Sequence, residues 1–221
     1  MTTSIAVPLD RLRLSPGSVV TIPSISWQQY EQFFTLVGDC RSYRLTYDRG
    51  TLEIVMPSEV HEILIRLMDW IISTLCEELE LNLKTIGSTA LKSRSLQTSP
   101  EPDNGYYIQN EPRVRNKAID LSIDPPPDLI VEINIANTDS NKLAIYERLK
   151  VPEFWIYSGR TRELSFYVLR VDRYHAVNRS PTFPLVQSTT LQTLADDCQR
   201  IGELAAKRQF RARVQQEITN D

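Results

Sequence analysis

Residues 128–135 read Asp-Leu-Ile-Val-Glu-Ile-Asn-Ile, an apolar run interrupted by a single carboxylate. Lys142 follows after a polar segment, Asn137-Thr138-Asp139-Ser140-Asn141. Strand pleating sends Leu129, Val131, Ile133 and Ile135 to one face and Ile130, Glu132 and Asn134 to the other. A buried strand has no structural use for Glu132. An ionised carboxylate there is costly unless a cation or several donors answer it, and a metal ion is one of the commoner answers. The second face of this strand is therefore a candidate site.

Magnesium takes oxygen ligands at about 2.1 Å, and one carboxylate holds it weakly. Asp128 is four residues from Glu132 on the same strand, roughly 13 Å away at about 3.3 Å per residue, too far to share a small ion. The second ligand should come from a neighbouring strand. Asp103, in Glu101-Pro102-Asp103-Asn104-Gly105, opens the short segment Tyr106-Tyr107-Ile108, whose residues favour β structure. Asp103 also has a plainer reading, since Pro-Asp-Asn-Gly is strong turn chemistry. Glu132 could likewise be one half of a structural ion pair with an arginine such as Arg94, and Lys142 an ordinary solvated lysine. Lysine at a helix start opposes the helix dipole, which argues for a negative partner nearby.

The elements around this strand follow from pattern. Trp27 to Leu36 reads as a short helix with Ser26 as its N-cap. Asp48-Arg49-Gly50-Thr51 separates two alternating runs, Tyr43 to Tyr47 and Leu52 to Met56, as a hairpin turn does. From Ser58 to Glu80, the residues Leu64, Leu67, Met68, Ile71, Ile72, Leu75 and Leu79 recur at helical steps, a core-facing stripe. A strand is expected near Lys84 to Leu91, connecting loops over 93–101 and 110–127, and a strand over 153–157. A late hairpin is expected over 164–170 and 174–177, then helix from Leu191 to Gln216. Residues 1–24 are expected as an extended arm, 25–205 as the folded domain and 206–221 as a C-terminal helical tail. The fold class is α/β (α+β), with a mixed central sheet.

The order helix, strand, strand, Glu132 strand, Lys142 helix, strand is αβββαβ. With the hairpin from Tyr43 to Ser58, His61-Glu62, Gly87-Ser88-Thr89, Glu101-Pro102-Asp103, Pro127 to Glu132, Asn141-Lys142-Leu143 and Val151-Pro152-Glu153-Phe154-Trp155, the chain resembles the PD-(D/E)xK nuclease superfamily. Within it, the chain resembles the putative restriction endonuclease family, formerly a domain of unknown function. The resemblance runs from Ile25 to Glu203. It implies a restriction-endonuclease-like core and a metal-dependent endonuclease acting on DNA, with Mg2+ or Mn2+ held by Asp103, Glu132 and the main-chain carbonyl of Ile133. It also implies a homodimer, and an accessory acidic role for Glu62. The superfamily pattern has lysine two residues after the strand carboxylate, where this chain has Asn134. The resemblance implies that Lys142 takes over that role. A neutral Asn134 can hydrogen-bond a water or a phosphate but does not supply an ammonium's charge. The alternative is a catalytically impaired nuclease-fold protein that binds nucleic acid or regulates, and a third is a metal-free interaction scaffold.

Other features narrow the field. His61 and His175 are not spaced as a metal or acid-base pair; His61 is expected to bond locally and His175 to be structural. Trp27, Trp70 and Trp155 read as core or interface anchors. With 41% hydrophobic residues in 221, one substantial core is expected. No apolar run reaches about 18 residues and the first ten residues lack a leader pattern, so a cytoplasmic location is expected. Cys40, Cys76 and Cys198 are widely spaced and argue against zinc or a disulfide framework. A net charge of −3 provides no global pull on phosphates. DNA contact would have to be local, through the cluster of Lys92 and Arg94 on one side of the Asp103 segment and Arg113, Arg115 and Lys117 on the other, which reads equally as a solvated loop. The basic run Lys207, Arg208, Arg211, Arg213 reads first as a solvated helix face.

Overall fold

The computed structural model describes residues 14–38, 42–135 and 141–220. In chain order the elements are β1 (Val19–Ile22), α1 (Trp27–Val37), β2 (Arg44–Asp48), β3 (Thr51–Val55), α2 (Glu59–Glu78), β4 (Lys84–Thr85), β5 (Thr98–Pro100), β6 (Asn104–Tyr107) and α3 (Glu111–Val114). They continue with β7 (Leu129–Asn134), α4 (Lys142–Arg148), β8 (Glu153–Ser158), β9 (Glu163–Arg170), β10 (Arg173–Val177), α5 (Thr190–Ile201) and α6 (Glu203–Asn220).

Two sheets result. The smaller has the order β1-β3-β2-β5 and the larger β10-β9-β8-β7-β6-β4. The larger sheet is mixed: β7 and β8 are parallel and its other pairs antiparallel. Parallel neighbours need a crossover, and α4 lies in the connection between them. Leu129, Val131 and Ile133 bury one face of β7 in the main core, with the apolar stripe of α2 and with Leu191, Leu194, Phe210 and Val214 of α5 and α6. The opposite face carries Ile130, packed with Ile145, Tyr146 and Leu149 and with Phe154 of β8. The predicted alternation along β7 is therefore the alternation between two cores. The elements α2, β4, β6, β7, α4 and β8 follow the expected αβββαβ order, with the β2–β3 hairpin ahead of them and the helices α5 and α6 behind.

Local chemistry explains the boundaries. Ser26 and Gln29 form a reciprocal capping box at the start of α1. The Ser58 side chain accepts the His61 N–H at the start of α2, where Glu59 and Glu62 also suit the helix dipole. The β2–β3 turn places Arg49 and Gly50 at φ 42° and 92°, the left-handed pair that a tight two-residue hairpin needs.

Several elements differ from expectation. β5 arises inside the expected loop at 93–101 because Thr98–Pro100 pair with β2, a long-range partner that no local pattern announces. The strand expected over 84–91 shrinks to Lys84–Thr85. In the segment expected as an arm, β1 pairs with β3. The single helix expected from Leu191 is broken at Gly202, whose φ of 87° ends α5. Over residues 206–220, Ala206, Phe210 and Val214 are buried in the main core. Cys40 and residues 136–140 lie outside the described residues. No helix among the described residues is long and apolar enough to cross a membrane.

Candidate active site

Asp103 sits just before β6, where Asn104 is opposite Val131 of β7. This register brings its carboxylate beside the end of the Glu132 strand: Oδ2 accepts the Ile133 N–H at 2.7 Å and lies 3.1 Å from His61 Nε2, while Oδ1 lies 3.4 Å from Arg44 Nε. Turn chemistry is thus not what holds Asp103; the residue after it opens a strand and its side chain reaches across the sheet. Asp103 is 6% exposed. Burial alone would push its pKa up, but the hydrogen bond and field of His61, with the charges of Arg44 and Lys142, hold it below the ordinary carboxylate value.

Glu132, also 6% exposed, has a different environment. Its Oε1 accepts the Lys142 ammonium at 3.1 Å and the Tyr146 hydroxyl at 2.6 Å. Burial pushes its pKa up to about 7; Lys142 and the Tyr146 hydrogen bond pull the other way, and the Asp103 charge adds to the rise. For Lys142, burial disfavours the ammonium, but Glu132, Asp103 and Glu53 outweigh it and raise its pKa. Two neighbouring carboxyl groups are therefore pushed apart, one held ionised and one able to take a proton near neutrality.

These side chains line one cavity of about 70 Å³, walled by Arg44 and Thr46 of β2, Glu53 of β3, His61 of α2 and Asn134 of β7. A water needs roughly 10–15 Å³ by this kind of measure, so several fit. Among the described residues, no three His, Cys, Asp or Glu side chains converge as a metal cage. Two carboxylates with room for water nonetheless suit magnesium, which keeps several waters and uses one or two carboxylates plus substrate phosphate. Asp103 and Glu132 are the residues that could hold such an ion.

The site residues foreseen from sequence divide clearly. Asp103, Glu132, Ile133, Asn134 and Lys142 line the cavity together. Glu62 does not; it is 41% exposed and pairs with Arg44 at 3.0 Å, one residue removed from Asp103. Glu132 is ion-paired, as its plainer reading allowed, but with Lys142 and not with Arg94, which lies in the turn before β5 where Gln97 donates to its carbonyl. His61 was expected to bond locally; its backbone N–H does so with Ser58, but its ring reaches Asp103. Tyr146, Arg44 and Glu53 were not foreseen. The signal for Tyr146 was present, since it lies four residues after Lys142 and shares its helix face. Arg44 and Glu53 gave none, because only the docking of the first hairpin brings them to β7.

Asp128, set aside on distance, accepts Ile108 N at 2.7 Å and Asn110 N at 2.9 Å, a loop-holding role. The expected basic cluster is largely answered internally. Arg115 pairs with Glu111 at 2.6 Å, Lys117 with Asp124, and Lys92 lies 3.6 Å over the Phe34 ring. In the late basic run, Arg211 pairs with Glu77 at 2.5 Å and Lys207 with Glu203 at 2.6 Å. His175 is on the exposed face of β10.

The mixed sheet thus carries an acidic residue on each of two adjoining segments, and a helix-borne lysine pairs with one of them. The family profile described as Putative restriction endonuclease (Uma2) matches residues 27–199, and the chain belongs to that family. A crystal structure described as a putative nuclease belonging to DUF820, from Anabaena variabilis ATCC 29413, superposes with a TM-score of 0.51 at 16% identity. The alignment covers 76% of this chain and 98% of that one. At that identity the likeness is one of fold. A search of curated proteins returned no match.

Proposed function

We propose that this protein is a divalent-metal-dependent endonuclease that hydrolyses DNA phosphodiester bonds, with Asp103 and Glu132 as the ion's side-chain ligands and Lys142 as the catalytic cation. The observation that carries this reading is the meeting of those three side chains in one walled cavity. The ion would lower the pKa of a water and neutralise charge building on the phosphate. Asp103, held ionised by its cationic neighbours, supplies a permanent negative ligand. Glu132 becomes one as its proton leaves. Lys142, at the first turn of α4, delivers from a helix the positive charge that Asn134 lacks, and its ammonium orients a water or a non-bridging phosphate oxygen. The carbonyl of Ile133 completes the proposed ligand set; its N–H is engaged by Asp103, which fixes the local backbone.

The test is cleavage of supercoiled plasmid with Mg2+ or Mn2+, wild type beside Glu132→Ala and Lys142→Ala. The expected result is nicking by the wild type alone; equal nicking by Glu132→Ala sinks the assignment. A second reading, a nuclease-fold protein that binds nucleic acid without turnover, is favoured by Asn134 and by the protein donors already on both carboxylates. Metal-dependent binding with no cleavage would identify it.

A further inference from the structure

Tyr146 is absent from the ligand set just described, yet it makes the shortest contact to Glu132. Its hydroxyl donates to Oε1 at 2.6 Å, and the Lys142 ammonium donates to the same oxygen at 3.1 Å. Lys142 and Tyr146 are four residues apart on α4, so one helix face presents both donors to one carboxylate oxygen.

The two donors differ in freedom. The Tyr146 ring is fully buried, 5.3 Å from Phe154, in the cluster with Ile130, Ile145, Leu149 and Val151. It cannot leave Glu132 without repacking that core. Lys142 ends a flexible four-carbon stem, and its ammonium also lies 3.5 Å from Thr46 Oγ1 and in the field of Glu53 on the facing wall. A divalent cation held by Asp103 and Glu132 would repel the ammonium but not a neutral O–H dipole. Thr46 and Glu53 give the ammonium a second seat in the same cavity.

We infer that Tyr146 is a positioning residue that keeps Glu132 in its ligating place while the incoming cation displaces Lys142 from it. The inference rests on the reading of the cavity as a metal centre. Lys142 answers the Glu132 charge in the ion-free protein, as a bound cation would, and once displaced it would be free to face the substrate. Tyr146 is what prevents Glu132 from following.

Mn2+ binding to the purified full chain, without nucleic acid, tests this directly by electron paramagnetic resonance of the free ion. Four proteins are compared: wild type, Tyr146→Phe, Lys142→Met, and Tyr174→Phe as a packing control. Tyr174 belongs to the surroundings of the same cluster, but its hydroxyl donates to the Val151 carbonyl at 2.9 Å. Loss of a hydrogen bond that orients a metal ligand typically weakens metal binding about 10–100-fold, the fall expected for Tyr146→Phe. Lys142→Met should bind Mn2+ more tightly than wild type, and Tyr174→Phe as wild type does. Circular dichroism establishes that each variant is folded. Wild-type affinity in Tyr146→Phe, or an equal fall in Tyr174→Phe, overturns the inference and leaves the metal centre standing. Should Tyr146→Phe not fold, weaker binding by Lys142→Met overturns it instead. No Mn2+ uptake by the wild type removes the metal centre itself, and the inference with it.

Discussion

Replacing Glu132 by glutamine should stabilise the ion-free protein, and more so as pH rises. The carboxyl of Glu132 titrates near 7 in the folded chain against an ordinary value of 4.5, chiefly because it is buried. Because the folded pKa is the higher one, the native state binds the proton more tightly. The contribution of Glu132 is fully present below pH 4.5 and is lost as pH rises through 7. The cost of holding the charged form is about 1.4 kcal/mol per pH unit of separation, roughly 3 kcal/mol in all at pH 8 and under about 1 kcal/mol at pH 5. Glutamine keeps the shape and an acceptor for Tyr146 and Lys142 without the charge. Urea melts in EDTA should therefore show Glu132→Gln gaining little at pH 5 and roughly 3 kcal/mol at pH 8. For a chain of this size that is about 6–12 °C in Tm. Added Mg2+ should stabilise the wild type and not the variant. A variant less stable than wild type at pH 8, or a gain equal at both pH values, refutes the reasoning, because it would mean that Lys142 and Tyr146 more than compensate burial.

The partner acid should behave oppositely. Asp103→Ala leaves the Ile133 N–H, His61 and Arg44 without their carboxylate, and removal of one member of such a buried group costs about 3–5 kcal/mol. Its folded pKa lies below the ordinary 3.8, so its contribution is present above that value and lost as pH falls through the folded pKa; melts of wild type and variant should converge in acid. A loss that persists unchanged there would point to packing as the cause. Burial pushes the Cys76 thiol up to about 11, so in alkylation at pH 8 read by peptide mass spectrometry Cys76 should label only on unfolding, after half-buried Cys198. Equal labelling rates in the folded protein would contradict that burial.

Where a feature depends on local pattern, the sequence already exposes it. The alternation from Leu129 to Ile135, the stripe of α2, the Ser26 cap and the Arg49-Gly50 turn each encode their own geometry within a few residues. The candidates Asp103, Glu132 and Lys142, which share one cavity, were also legible, because Glu132 is chemically out of place in its strand and Asp103 and Lys142 fall at element starts. What escaped was set by docking between distant segments. β5 exists because β2 is there to pair with it. The histidine ring could satisfy a local cap or a remote carboxylate, and only the path of α2 past β6 decides for Asp103. Gly202 breaks a helix in a stretch whose apolar periodicity continues on either side of it.

The cavity closes only where the first hairpin lies against the end of β7, and its contacts span 42 residues from His61 to Asp103 and 96 from Thr46 to Lys142. Closing such long loops is entropically late work for a folding chain. A ribosome-bound chain that has released the hairpin, α2 and even Asp103 has no assembled cleft until α4 emerges. The proposed metal cavity would then take shape only late in synthesis, after most of the chain's first two thirds has been released.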